Sequence, residues 1–290
     1  MLARAVTRWA PLGLRFGDAY RGAVVEGLTA WAWDARRAAG PVCPAARGSG
    51  GLLAWHMLPG FGGWVAGSAQ ADPWAPELRR DFSLLVVDPA RRFHPVRMIQ
   101  SVPHRDLVPW EWAEGDVRPL VRVYPTASQP APEGAVAVRA RLWDIARAAP
   151  AAWARLHVHV DGRRFTGLAG EDGEVVVFVA MPRPRSGAAL AQQTWPIEVE
   201  VDYEGLTDPH ATREAVGTLA PTDVRGDLPT LAAIERQPRG SVHAAWSRNG
   251  QPAPFIPPLL TLHGELYLAS DPQPPSVTVG ARETRLFVTT

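Results

Sequence analysis

His157 and His159 are the residues in this sequence best placed for chemistry. At i and i+2 on an extended strand they project to the same face, about 7 Å apart. Two imidazoles at that spacing, with Asp161 next in line, are a partial zinc ligand set, and the chemistry would be metal-assisted hydrolysis. The competing reading is a solvent-facing polar stripe opposite Leu156, Val158 and Val160. No second His pair or cysteine cluster completes a metal site, so the polar stripe is the expectation.

The other candidates fare no better. Glu198, Glu200, Asp202 and Glu204 form a carboxylate row that invites a calcium ion or a glycosidase pair. Calcium sites draw on irregular loops with carbonyl ligands, and glycosidase carboxylates face each other across a cleft. A solvated strand face near Arg139 and Arg141 is expected instead. Ser49, between Gly48 and Gly50, lies in a loop and not in a strand-to-helix elbow. Cys43, the single cysteine, falls in the Gly/Pro-rich stretch 40–51 and reads as a loop thiol. The chain has no phosphate-loop motif, dinucleotide fingerprint or H-E-x-x-H. All its basic residues are arginines, so no lysine is on hand for Schiff-base chemistry. The expectation is a non-enzymatic chain, with no catalytic, cofactor-binding or metal residues and no cofactor.

The elements that carry these residues read as β. Twenty-nine Pro and 26 Gly punctuate short apolar runs, a pattern that disfavours a helical protein. Strands are expected over 12–18, 29–34, 52–58, 81–88 and 93–102. In the second half, Val136, Val138, Ala140 and Leu142 alternate with Ala137, Arg139, Arg141 and Trp143. Leu156, Val158 and Val160 alternate with the two histidines and Asp161. Asp161-Gly162 predicts a hairpin onto 164–169. Ile197, Val199, Val201 and Tyr203 alternate with the carboxylate row, the mark of a half-exposed antiparallel strand. Leu228–Glu235 suits a short helix.

These elements group into an all-β fold of two tandem antiparallel β-sandwich domains, of immunoglobulin or transthyretin type. The first spans 1–103, a linker 104–117, and the second 118–290, with a short helical insertion at about 205–247. The halves share an order of parts. Each has a strand ending in Asp (Asp18, Asp144) and a Trp-bearing segment. Each then has a Gly-initiated strand before a proline (Pro59, Pro182) and a long apolar strand. Trp110 and Trp112 in the linker, with Trp74, are aromatics in irregular stretches. They read as packing between domains or as partner anchors. Arg183 and Arg185, in the Pro-broken segment after Met181, read as a solvated loop or docking arm. These five residues are the candidate interface.

Net charge is +1, with 30 basic against 29 acidic residues, a balance that argues against nucleic-acid binding. No apolar run reaches the length of a membrane span, and no secretory signal is read at the start, so a cytoplasmic protein is expected.

Asp144–Trp153 and Gly167–Phe178, with Gly173 at the turn before the strand, resemble the carboxypeptidase regulatory-like (transthyretin-like) sandwich. The chain also resembles an accessory structural family encoded in contractile-injection-system loci, the loci of phage-tail-like particles. LGLRFGD (12–18), LLAWHMLPG (52–60), FSLLVVDPARRFHPV (82–96), VRVYPTASQPAPEGAVAVRARLWD (121–144), GLAGEDGEVVVFVAMPRP (167–184) and QTWPIEVEVDY (193–203) carry that resemblance. It implies a structural role at the baseplate, cap or a fibre, with sheath, tube, baseplate or cap proteins as partners. An oligomeric state within the particle and release with it follow. Two rival functions are a carbohydrate- or ligand-binding sandwich, with exposed aromatics beside a polar groove, and a metal-dependent hydrolase using His157 and His159.

Overall fold

The computed structural model describes residues 10–37, 40–60, 79–103, 120–182, 193–206, 228–246, 252–261, 265–269 and 285–290. Among them the chain is all-β apart from one five-residue helix. It divides into two compact units. One comprises residues 1–91, 95–123 and 215–231; the other comprises 92–94, 124–214 and 232–290. The expected linker, 104–117, lies outside the described residues.

The first unit contains β1 (Leu12–Leu14), β2 (Phe16–Asp18), β3 (Thr29–Asp34), β4 (Cys43–Pro44), β5 (Ala46–Arg47), β6 (Leu53–Trp55), β7 (Arg79–Val87), β8 (Val96–Pro103) and β9 (Val121–Val123). They form a sheet of order β4-β3-β7-β8, a sheet of order β1-β6-β5, and the parallel pair β2-β9. The apolar run Phe82–Val86 makes β7 a central strand, and its Phe82, Leu84 and Leu85 are fully buried. Aspartates end the strands for a local reason. The carboxylates of Asp18, Asp34 and Asp88 accept the backbone N–H two residues on, at 2.7, 2.9 and 3.2 Å. Such turns take the chain out of the sheet. β9 pairs with β2 and so completes the first unit, although the sequence reading starts the second domain at 118. Cys43, expected in a loop, lies on β4 opposite Ala32 and is buried, which pushes its thiol up.

The second unit contains β10 (Ala135–Asp144), β11 (Ala149–Pro150), β12 (Arg155–Val160), β13 (Arg163–Leu168), β14 (Glu174–Ala180), β15 (Thr194–Trp195), β16 (Glu198–Asp202), β17 (Arg239–Trp246), β18 (Pro252–Pro254), β19 (Leu260–Thr261), β20 (Glu265–Leu268) and β21 (Arg285–Thr289). The helix α1 (Leu231–Glu235) precedes β17 and begins three residues later than the sequence suggests. Ten strands follow the order β11-β10-β21-β17-β16-β12-β13, with β14 and β20 on β10 and β18 on β17. The segment 205–247, expected as an insertion, thus supplies an integral strand, β17. Both β20 and β21 run parallel to β10 and lie end to end along it: Leu268 pairs with Ala140 and Arg285 with Arg141. The turn between β12 and β13 is Asp161-Gly162, with φ of 50° and 71°, the left-handed pair that a tight hairpin requires. The alternating residues Val136, Val138, Leu142, Leu156, Val158, Val160, Val175, Val177, Val201 and Leu286 share one core. Each contributes about 1.5–3 kcal/mol on burial.

The pairings of the first unit recur in the second. Leu12 pairs with Trp55 and Leu14 with Leu53; Val138 pairs with Val177 and Ala140 with Val175. Thr29–Val87 and Trp31–Pro44 have counterparts in Arg155–Asp202 and His157–Thr166. The parallel pair Asp18–Val123 answers to Asp144–Val288. Loop hydrogen bonds match as well. Val25 N–H donates to Phe16 O at 2.8 Å, and Ala151 N–H to Leu142 O at 3.0 Å. Gly48 N–H donates to Leu52 O at 2.8 Å, and Gly170 N–H to Glu174 O at 2.9 Å. Left-handed residues coincide too: Gly22 with Ala148, Gly27 with Trp153, and Gly51 with Gly173. The shared order of parts is therefore a shared strand topology, register for register.

Ala148 holds a φ of 49° where its counterpart is a glycine. It is exposed, so nothing but backbone strain distinguishes it from Gly22. Ala148→Gly is expected to raise stability by up to about 1 kcal/mol, the left-handed cost to alanine less the added freedom of the unfolded glycine. A lower urea midpoint would contradict this.

Candidate functional site

β12, β13 and β16 present their outward residues as one face, because side chains alternate along each strand. His157 lies there, 1% exposed, between two partners. Its Nδ1 meets Thr166 Oγ1 at 2.8 Å and its Nε2 meets Asp202 Oδ2 at 2.9 Å. The same carboxylate oxygen accepts Arg155 Nη2 at 2.6 Å, and Arg164 Nη2 stands at 3.8 Å. Beside this group, His159 Nε2 meets Glu200 Oε2 at 3.3 Å, and Arg239 Nη2 meets that oxygen at 2.9 Å.

This corrects the reading of a solvent-facing stripe. His157 is interior, and its partner is Asp202 and not Asp161, which sits in the exposed hairpin turn. The carboxylate row pairs with histidines and with Arg155 and Arg239; Arg139 and Arg141 lie on β10. Among the described residues no group of three or more His, Cys, Asp or Glu is arranged to hold a metal ion.

Hydroxyl, imidazole and carboxylate in a row have the composition of a nucleophile relay. The electrostatics run the other way. Burial holds His157 below its ordinary value, and the hydrogen bond to Asp202, which favours the cation, is opposed by Arg164 and Arg155. A general base must become an imidazolium during the reaction, and two guanidiniums beside it resist that. Both ring nitrogens are already engaged. The arrangement clamps β13, β12 and β16 together.

A second cluster surrounds Asp144, the strand-ending aspartate of β10, which is 2% exposed. Its Oδ2 accepts Tyr203 Oη and Arg147 Nη1, each at 2.8 Å, and its Oδ1 accepts the Arg147 backbone N–H at 3.1 Å. Burial alone would push this carboxyl up. The hydrogen bonds from Arg147 and Tyr203 outweigh it and hold the group below the usual range.

His94 was not singled out from the sequence; a lone histidine between Phe93 and Pro95 gives no periodic signal. Its ring meets Trp153 edge-on, centroids 6.2 Å apart, and its Nε2 is buried without a hydrogen-bond partner. Burial lowers it to about 4, against the Asp172 charge and a hydrogen bond with the Leu168 backbone. Its folded value is thus below the 6.5 of the open chain, so the unfolded state takes up the proton first as pH falls. Stability is complete above pH 6.5 and is lost towards pH 4, by about 3 kcal/mol at most. His157 and His243, also lowered by burial, act in the same direction. Urea midpoints across that window should fall steeply, and His94→Phe should flatten the slope. An unchanged slope in the variant would refute the assignment.

The candidate interface residues Trp74, Trp110, Trp112, Arg183 and Arg185 all lie outside the described residues. No described helix is long and apolar enough to cross a membrane. No family model matches this chain, and no curated protein matches it. Among solved structures, 58% of the chain aligns with 26% of the Bacillus anthracis TIE protein, at 9% identity and a TM-score of 0.21. A further 62% alignment covers 36% of a Ca2+-stabilised adhesin with which an Antarctic bacterium binds ice, at 14% identity and a TM-score of 0.17. The chain spans roughly a quarter to a third of those proteins, and likeness at this level carries no argument about function.

Proposed function

We propose that this chain is a non-enzymatic structural subunit of a phage-tail-like contractile injection particle, made of two tandem transthyretin-like β-sandwiches. It acts by contact with sheath, tube, baseplate or cap proteins, is assembled in the cytoplasm and is released with the particle. The observation that supports a structural role is the fate of its most reactive residues. His157, Asp202 and Thr166 saturate one another within a sheet, and Asp144 does the same with Tyr203 and Arg147. Residues that carry the sequence resemblance hold framework positions. Asp144 ends β10, and Gly173 opens β14. A framework repeated twice, with its polar groups closed on themselves, suits a part that bears contacts more than one that turns over substrate.

The test is capture of tagged protein from its native host, with mass spectrometry and electron microscopy of the eluate. Sheath, tube or baseplate proteins and tail-like particles are the expected result. A clean monomer without such partners would overturn the reading.

A further inference from the structure

Within the second unit, the outward face of β10, β14 and β20 carries an open groove of about 600 Å³. Arg139 and Arg141 alternate along β10 and so share this face. Arg141 stands opposite Glu174 on β14, and Arg139 opposite Tyr267 on β20. Ser128 adds a hydroxyl to the wall.

The floor of the groove is preset. Arg139 donates to the carbonyls of Ala127 and Gln129 and to Glu265 Oε1, the last at 2.8 Å. Tyr267 Oη donates to Glu265 Oε2 at 2.8 Å. Glu265 therefore ties the guanidinium to the phenol and fixes the tyrosine, whose side chain is nevertheless 64% exposed. A held aromatic ring facing solvent has surface to offer and little entropy to lose on contact.

The repeated framework shows that this lining is not imposed by the fold. The first-unit counterparts of Arg139 and Glu174 are Gly13 and Leu52, which follow from the matching pairs Leu12–Trp55 and Val138–Val177. The same register folds there without the Arg139–Glu265 ion pair, and it keeps an arginine, Arg15, at the position of Arg141. Unlike the His157 group, which differs between units but is closed on itself, the groove leaves Arg141 and Glu174 exposed beside the closed Arg139–Glu265–Tyr267 set.

We propose that this groove binds a neutral saccharide, with Tyr267 as the stacking platform and Arg141 and Glu174 as hydroxyl partners. Two cations and two anions line it, so it offers no net charge to an ionic ligand. It offers donors and acceptors together, which is what a sugar hydroxyl, itself both donor and acceptor, can use. An apolar ring face set among a few placed polar groups is the usual make-up of a small-ligand site. The site stands independently of the particle reading.

The test is saturation-transfer NMR on the full chain with cellohexaose, maltohexaose and chitohexaose at millimolar concentration. At least one should receive saturation. Tyr267→Ala and Arg141→Ala should each weaken binding roughly tenfold or more, the loss of one good contact. Tyr267→Phe, which keeps the ring and loses its tether to Glu265, covers the case in which Tyr267→Ala does not fold, and should weaken binding by less than about tenfold. Absence of transfer to all three sugars overturns the assignment. So does binding that the substitutions leave unchanged, or preferential binding of hexaglutamate or hexaarginine over every sugar.

Discussion

Gly173→Ala is expected to destabilise the second unit by about 3 kcal/mol or more. Gly173 opens the turn into β14 with a φ of 78°, where a side chain is strained. Its carbonyl accepts the Leu142 N–H at 2.8 Å, so the turn is stitched to β10. A Cβ built there would lie 2.3 Å from Leu142 O and 3.2 Å from Pro150 Cβ. Backbone cannot move aside as a flexible side chain can, so the strand pairing itself must give. Gly162→Ala supplies the control: its φ is 71°, but nothing lies within 4 Å of the added carbon. That variant should show the conformational cost alone, about 1 kcal/mol. Equal urea midpoints for the two variants would remove the packing argument. Gly167→Ala tests the same closure from β13, since its Cβ would meet Val176 O at 2.2 Å.

Much of this framework was legible in the sequence because period two is a local signal. Val136, Val138 and Leu142 face the core as their alternation requires, and Asp161-Gly162 makes the expected turn. The order of Asp, Trp-bearing and Gly-led segments reported a real repeat of pairings. Three features were not legible. The apolar runs 259–268 and 286–288 read as strands and hold β20 and β21, but their parallel, end-to-end pairing along β10 joins residues far apart in the chain and leaves no local trace. The burial of His157 depends on Asp202, 45 residues away, and on arginines that close over an outward face. Alternation tells which side of a sheet a residue occupies, not whether other side chains cover that side. The groove depends on Arg139 meeting Glu265 across 126 residues, a pairing with no local trace.

Asp202→Val should cost about 3–5 kcal/mol, because it leaves the Arg155 charge and the His157 ring without their shared acceptor in a covered site. Arg155 keeps its bond to Glu235 O at 2.9 Å, which does not neutralise it. The first unit shows how the loss can be repaired. At the positions of Arg155, His157 and Asp202 it carries Thr29, Trp31 and Val87, on the same register. Adding Arg155→Thr and His157→Trp to Asp202→Val should therefore recover half or more of the lost stability, since a closed polar group and an apolar one of similar bulk are near equivalents in such a place. Urea midpoints of the single and triple variants measure this. A single variant within 1 kcal/mol of the parent would mean that the network clamps nothing. A triple variant that regains its fold but no longer captures particle proteins would place function in this face, and the sheet-clamping role assigned to it would fall. Retained capture is the expected outcome, since the proposed contacts are made by other residues and the network serves only to hold three strands in register.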